Sequence, residues 1–268
     1  MKLAKALEKA KEERYSAECR QEEAQRPQQA KPLTGRTGWH SPDYTKSKSV
    51  SVCTETLAKK KCVSVLLDSR EADAYKVLRT QIQQRAQERG WKTIMITSVE
   101  QGEGKTLTAI NLAISMAKEF HQTVLLVDCD LKQQSIHQCL GYESKYGLAD
   151  YLLDNAELSE LIVWPGIAKL TVLSGGRTIS GSTELLGSPR MNHLVKDMKD
   201  RYEDRYIIFD TPPILVGADA IAFAPFVDGI VVTVESGRTS MADVKRALTL
   251  LPKEKLLGFV LNRHSQGS

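Results

Sequence analysis

The stretch Ile94-Met-Ile-Thr-Ser-Val-Glu-Gln-Gly-Glu-Gly-Lys-Thr106 joins an apolar, β-branched run to a glycine-containing loop and then to the start of a helix. Gly102 and Gly104 permit a tight backbone path on which successive N–H groups point inward, an arrangement that binds phosphate oxygens. A helix that begins near Lys105 adds the positive end of its dipole. The stretch therefore predicts a strand, a phosphate loop over Ser98–Thr106, and a helix.

The loop fits the pattern G-x-x-x-x-G-K-[ST], except that Val99 stands at the first glycine position. In that pattern Lys105 reaches the β- and γ-phosphates of ATP, and the Thr106 hydroxyl binds Mg²⁺. An ordinary glycine-rich turn is the plain alternative. Asn262 follows an apolar strand, where it could reach the adenine edge or cap the strand. The predicted nucleotide contacts are Gly102, Glu103, Gly104, Lys105, Thr106, Leu107 and Asn262.

Aspartates follow two other apolar runs of the sequence. Asp128 and Asp130 end one run, and Asp210 ends another. Ligands of parallel sheets bind at the carboxyl ends of strands, and alternate strand residues point the same way. Mg²⁺ takes a few hard oxygen ligands and keeps waters, so Thr106, Asp128 and Asp210 are the predicted metal ligands. Taken singly, each aspartate could instead be a helix N-cap or a turn residue.

Short apolar strands alternate with amphipathic helices from about residue 63 onward, which indicates an α/β fold with a mostly parallel central sheet covered on both faces. This is the three-layer arrangement of P-loop nucleotide-binding domains. Predicted strands are 93–97, 123–127, 170–173, 206–209, 229–234 and 257–261. Predicted helices are 70–89, 104–120, 147–153, 189–202, 218–223 and 240–251.

Residues 1–67 differ from the rest of the 268-residue chain, because they hold 14 Lys/Arg against 8 Asp/Glu, whereas the remainder is slightly acidic. Met1–Arg20 has the apolar spacing of a short amphipathic helix. Gln21–Lys61 is polar and predicts a flexible linker, since it cannot bury enough surface to offset its conformational entropy. We therefore expect a basic tail over 1–67, which is either solvated or docked on a partner or an anionic membrane, and a folded domain over 68–268.

The sequence has no apolar stretch of the roughly 20 residues that span a bilayer, and its charged start lacks the apolar core of a secretory signal. A cytoplasmic protein is expected. Its five cysteines have no metal-ligand spacing, so free thiols are expected.

Over roughly residues 68–264 the sequence resembles the bacterial tyrosine kinases of exopolysaccharide and capsule assembly. The start, Leu3–Ala10, is similar to members encoded with exosortase-type export systems. Besides the phosphate loop and the aspartates, the resemblance rests on Ala74–Ile82, Gly147–Leu153, Leu173–Gly176, Glu184–Leu186, Asp210–Pro213, Asp219–Ala220 and Val260–Asn262.

The resemblance implies an ATP-dependent kinase that autophosphorylates on tyrosine. It also implies an activating membrane partner, the polysaccharide co-polymerase or chain-length determinant, and hence a peripheral location at the inner face of the plasma membrane. No nucleic-acid partner is expected. The catalytic roles that it implies, namely phosphate binding, metal binding and activation of the tyrosine hydroxyl, fall on Lys105, Asp128, Asp130 and Asp210.

The chain departs from this family at its end, because no tyrosine follows Tyr206, whereas members commonly end in a tyrosine cluster. Tyr15 or Tyr44 could replace that cluster, or the target could lie on another protein. The family's oligomerisation motif E-x-x-R-x-x-R stands here as Asp73-x-x-Lys76-x-x-Arg79, which predicts a homo-oligomer with a lysine in place of one arginine fork.

Two other functions are compatible with parts of the pattern. Partition and division-site ATPases carry a signature lysine early in the loop, at the position of Glu100 here, so the charge is reversed. An ATP-binding adaptor without transfer activity is the second alternative, and the missing tyrosine cluster leaves it open. Phosphate incorporation that depends on Lys105 and Asp128 would distinguish a kinase from both.

Overall fold

The computed structural model describes residues 48–66, 69–119 and 121–264. Its helices and strands confirm the predicted α/β class with a mostly parallel sheet. The strands are β1 (Lys48–Ser49), β2 (Thr93–Ser98), β3 (Thr123–Asp128), β4 (Ile162–Trp164), β5 (Leu170–Leu173), β6 (Arg205–Asp210), β7 (Gly229–Glu235) and β8 (Leu256–Asn262). The helices are α1 (Thr54–Lys59), α2 (Arg70–Gln87), α3 (Lys105–Ala117), α4 (Ile136–Leu140), α5 (Leu148–Asp154), α6 (Leu158–Leu161), α7 (Ser182–Leu186), α8 (Pro189–Asp200), α9 (Asp219–Phe223) and α10 (Met241–Leu248).

The strands lie in the order β1-β4-β5-β3-β6-β2-β7-β8. Neighbouring strands are parallel except β4 and β5, which run antiparallel. The register sets Asp128 beside Asp210 and Asp210 beside Ile96, so β3 and β6 end at the same level and β2 ends two residues further on. The residues that follow these three strands therefore meet at one edge of the sheet.

Two apolar layers enclose the sheet. Alternate side chains of β2 and β3 point to opposite faces, and all twelve residues of these two strands are buried. Helices α1–α4 cover one face and α5–α10 cover the other. Ten of the 13 residues of α3 are buried, so the helix that follows the phosphate loop is a core helix and holds the loop firmly.

The N-terminal segment, residues 48–66, is part of this folded unit. Its β1 pairs with β4, and Leu57 and Cys62 are buried in the core layer of α3. The linker predicted up to Lys61 is therefore structured from residue 48, and the fold starts earlier than the predicted boundary at residue 68. Residues 1–47, with the predicted helix Met1–Arg20, lie outside the described residues.

The helices and strands predicted from periodicity are present with bounds shifted by a few residues. The sequence does not predict β1, α1, α4, α6, β4 and α7, each of which has six residues or fewer and so shows too few repeats of its pattern. Of the described helices, none is long and apolar enough to cross a bilayer. The four described cysteines are free thiols, as expected.

Replacing Leu57 by Ala tests whether the N-terminal segment belongs to the fold. We expect the free energy of unfolding to fall by about 3 kcal/mol, because a core leucine leaves a cavity that the surroundings fill only in part. Urea unfolding measures the change, and Lys60→Ala on the exposed side of the same segment is the control. Equal stabilities of the two variants would show that the segment is not packed as described.

Candidate functional site

The phosphate loop connects β2 to α3 and has the backbone shape that the sequence predicts. Gly102 and Gly104 have positive φ values of 87° and 90°. A Cβ atom on Gly104 would lie 2.1 Å from Nδ2 of Asn262, so a larger residue there would displace the Asn262 side chain. Ser98 Oγ donates to the carbonyl oxygen of Glu100 at 2.7 Å, which fixes the start of the loop.

Lys105 is the first residue of α3 and directs its amine into a group of carboxylates. Its Nζ lies 2.9 Å from Oδ2 of Asp130 and 3.5 Å from Oδ1 of Asp210. It also lies 3.3 Å from the hydroxyl of Thr106. Side chains from the loop after β2, from β3 and from β6 thus converge at the sheet edge, as their positions after apolar strands predict.

Thr106 and Asp210 are directly connected. The Thr106 hydroxyl donates to Oδ2 of Asp210 at 2.6 Å, and Asp210 is fully buried. The Ser135 hydroxyl approaches the Thr106 oxygen at 3.3 Å from the start of α4. A threonine hydroxyl and a carboxylate are therefore adjacent at the point where Mg²⁺ is predicted to bind.

The side chain of Asp128 caps a helix, the plain alternative that its sequence position allows, and its role as a metal ligand stays a prediction. Its Oδ2 accepts from the N–H groups of Ser135 and Ile136 at 3.2 Å each, so it caps the start of α4. Its Oδ1 accepts from the N–H of Asp130 at 3.1 Å. Asp128 is fully buried beside Asp210. None of its oxygen atoms is exposed, so it lies behind the other predicted metal ligands.

The charges of this group shift each other's protonation. Burial raises the pKa of Asp128, and the nearby charge of Asp210 raises it further. Burial also raises the pKa of Asp210, against the opposing influence of Lys105. Burial lowers the pKa of Lys105, but Asp210 and Asp130 outweigh it and raise that pKa above its usual range. Lys105 therefore stays charged and keeps the carboxylates together.

A cavity of about 560 Å³ opens beside this group. Its walls include Gly102, Gly104, Lys105, Thr106, Leu107 and Asp130 from the predicted site. Further lining residues are Gln101, Lys132, Gln133, Gln134, Ser135, Gln138, Pro212, Pro213, Val216, Gly217 and Asp219. Two predicted nucleotide contacts, Glu103 and Asn262, do not line the cavity; they contact each other behind the loop, where Asn262 Nδ2 donates to the Glu103 carbonyl oxygen at 2.8 Å.

Comparison with known proteins identifies the family of this chain. A family model described as an AAA domain matches residues 91–255. The tyrosine-protein kinase YwqD of Bacillus subtilis is 35% identical over 196 residues, covering 72% of this chain and 81% of YwqD. The tyrosine-protein kinase CpsD of Streptococcus agalactiae is 32% identical, covering 76% of this chain and 87% of CpsD. The chain belongs to the bacterial tyrosine-protein kinase family.

The solved kinase domain of the Escherichia coli tyrosine kinase ETK is similar in structure as well. It aligns with a TM-score of 0.70 and 25% identity, over 85% of this chain and 94% of that domain. The predicted P-loop fold of the kinase is thereby confirmed.

Two contacts around the kinase site were not predicted. Lys132 lines the cavity and pairs with the buried Asp219 at 2.8 Å. Burial alone would raise the pKa of Asp219, but hydrogen bonds from Lys132 and Ser182 lower it. Gln101 Nε2 donates to Oε1 of Gln133 at 2.7 Å and links the loop to the segment after β3. Exposed polar residues in loops follow no periodic pattern, so the sequence alone does not predict which of them contact each other.

The predicted oligomerisation residues make contacts within the kinase chain. Asp73 and Lys76 pair with each other at 2.8 Å on the exposed side of α2. Arg79 pairs with Glu119 at 2.6 Å and donates to the Ser115 carbonyl oxygen at 2.9 Å. An assembly through these residues stays a prediction.

Replacing Gly104 by Ala tests the shape of the phosphate loop. Gly90→Ala is the matched control, because Gly90 also has a positive φ but has no atom within 4 Å of an added Cβ. We expect Gly90→Ala to lower the free energy of unfolding by about 1 kcal/mol from left-handed backbone strain alone. Gly104→Ala should lose clearly more, because it also collides with Asn262. Equal losses in urea unfolding would contradict the described loop.

Proposed function

We propose that this kinase transfers the γ-phosphate of ATP to tyrosine with the help of Mg²⁺ and so regulates exopolysaccharide polymerisation and export. The observation that carries the proposal is the convergence of Lys105, Asp130 and Asp210 at the phosphate loop, beside a cavity of about 560 Å³. Membership of the tyrosine-protein kinase family supports the choice of tyrosine as acceptor.

The residues present fit ATP and Mg²⁺. The glycine backbone at Gly102 and Gly104 leaves the loop free of side chains where phosphates would approach. Thr106 and Asp210 would hold Mg²⁺, with Asp128 behind them, through oxygen atoms and retained waters. No three His, Cys, Asp or Glu side chains form a complete metal cage in the described part of the chain. That finding agrees with an ion that takes part of its ligands from phosphates.

The chain's own groups then have distinct tasks. The loop N–H groups and Lys105 bind and orient the phosphates, and Mg²⁺ held at Thr106 and Asp210 would supply further neutralisation of their charge. In the transfer, the phenolic oxygen forms a bond to the γ-phosphorus while the bond to the bridging oxygen of ADP breaks. Asp130 lines the cavity and is the carboxylate that can accept the phenolic proton, since tyrosine has an ordinary pKa of about 10.

The acceptor within this chain is proposed to be Tyr44, which lies outside the described residues. Through the register of β1, β4 and β5, Lys48 is level with Leu126 of β3. Three strand spacings separate them, roughly 14 Å. Because β1 runs opposite to β3, the chain enters β1 from the sheet edge at which Asp128 ends β3. Tyr44 precedes Lys48 by four residues, and a chain of that length spans at most about 14 Å.

None of the described tyrosines lines the cavity. Tyr142 is an example, since its hydroxyl is within hydrogen-bond distance of Ser174 Oγ at 2.9 Å, and burial raises its pKa to about 12. A buried phenol of this kind is a poor nucleophile near neutral pH. The exposed Tyr146 and Tyr202 also lie outside the cavity, so we propose an acceptor in the tail or on another protein.

The membrane-bound polysaccharide co-polymerase is the proposed activating partner, and the inner face of the plasma membrane is the proposed location. Family membership supports both. The proposed homo-oligomer uses Asp73, Lys76 and Arg79, and sedimentation of the Asp73→Lys variant against wild type tests it. An unchanged sedimentation profile would argue against this interface.

Incubation with ATP and Mg²⁺, with and without the cytosolic tails of the co-polymerase, tests the kinase. We expect mass spectrometry to find phosphotyrosine in the wild type and less of it in Lys105→Ala, which loses the cation that orients the phosphates. The decrease should be at least about a hundredfold, as is typical when one transition-state contact is removed. Tyr44→Phe should remove most of the signal from the chain itself, and Tyr15→Phe should not.

The alternatives give different results in the same experiment. Hydrolysis of ATP without phosphotyrosine would favour a partition-type ATPase, and ATP-dependent assembly without transfer would favour an adaptor. Phosphotyrosine that persists in Tyr44→Phe would refute the assignment of the acceptor but leave the kinase intact.

A further inference from the structure

Glu103 is a buried acidic residue inside a loop that is expected to bind phosphates. Only 1% of its surface is exposed, and its side chain does not line the cavity. No ion pair joins it to a cation among the described residues, although burying a carboxylate without partners is unfavourable. Its partners are instead neutral hydrogen-bond donors, which stabilise the carboxylate in this buried position.

Both oxygens of the Glu103 carboxylate accept hydrogen bonds. Oε2 accepts from the N–H of Glu100 at 2.9 Å, which folds the loop back on itself. Oε1 accepts from the hydroxyl of Thr239, in the turn between β7 and α10. A carboxylate offers acceptors only, so it suits a position that faces two donors.

The hydroxyl of Thr239 has a fixed direction. Its oxygen accepts from the N–H of Glu235 at 2.9 Å, which orients the side chain across the turn. Its single hydrogen is then donated to Glu103. Valine at this position would keep the shape of threonine but lose the donor, and serine would keep the donor.

Asn262 holds the same residue from the other side. Its Nδ2 donates to the Glu103 carbonyl oxygen at 2.8 Å, and its Oδ1 accepts from the N–H of Arg263 at 2.9 Å. Asn262 also limits the space at Gly104, where a Cβ would lie 2.1 Å from its Nδ2. The end of β8 and the turn after β7 thus both form hydrogen bonds to the same loop residue, Glu103.

We infer that Glu103, Thr239 and Asn262 form a clamp that holds the phosphate loop in its binding shape, so that Glu103 and Asn262 are positioning residues and not nucleotide contacts. The inference rests on the proposed binding of nucleotide at this loop. It also means that β7, β8 and α10, which supply no cavity-lining residue, contribute to nucleotide affinity.

The clamp is tested by the affinity of the full chain for a fluorescent ADP analogue with Mg²⁺. Thr239→Val should weaken binding about tenfold, because it leaves a buried carboxylate oxygen without its donor. Thr239→Ser should bind like the wild type. Thr249→Val, at an exposed position directly after α10 whose hydroxyl donates to the Arg246 carbonyl oxygen, is the matched control.

A double-mutant cycle separates the clamp from a direct role of Glu103. Glu103→Ala should weaken binding at least as much as Thr239→Val, and the double variant should be no weaker than Glu103→Ala, because both changes remove the same contact. Phosphotransfer by Thr239→Val at saturating ATP should stay within about threefold of wild type, as expected when only ground-state binding is lost. Thermal unfolding checks that each variant is folded.

Two results would overturn the clamp. Wild-type affinity in Thr239→Val would show that the hydroxyl does not hold the loop. Unchanged affinity with abolished transfer in Glu103→Ala would show that the carboxylate acts on the reacting atoms. A wild-type chain that binds the analogue but makes no phosphotyrosine would refute the proposed kinase activity and would not contradict the clamp.

Discussion

The attraction between one buried amine and its neighbouring carboxylates holds the active edge of this protein together. Lys105 balances Asp130 and Asp210 directly, and Asp128 lies next to them on the adjoining strand. Without the amine, three buried carboxylates would repel one another in a region of low dielectric. The phosphate loop, β3 and β6 can end at the same place because the cation comes from the loop and the anions come from the strands.

Much of this arrangement follows from the sequence alone. Asp128 and Asp210 come directly after apolar runs, so parallel strands had to bring them to one edge. The loop shape follows from Gly102 and Gly104, and Lys105 follows from the pattern that these glycines begin. These signals are local, meaning that each is contained within about a dozen consecutive residues.

The features that could not be predicted depend on contacts between distant parts of the chain. Glu103 reads as a loop residue, but its partner Thr239 lies 136 positions away. The burial of Leu57 depends on the core layer of α3, and no periodic pattern in its own polar surroundings signals it. Contacts between side chains that are distant in sequence depend on tertiary packing, and they produce no local pattern that could be recognised in a single sequence.

The N-terminal segment also protects the sheet. Asn111 of α3 donates to the carbonyl oxygen of Lys61 and accepts from the N–H of Ser64, so the segment satisfies a polar group in the core. On the other side, β1 covers the outer edge of β4. A chain shortened to begin at residue 68 would bare that edge and leave Asn111 short of partners, and unpaired strand edges template association between molecules. The first residues of the fold thus act as a safeguard against self-aggregation.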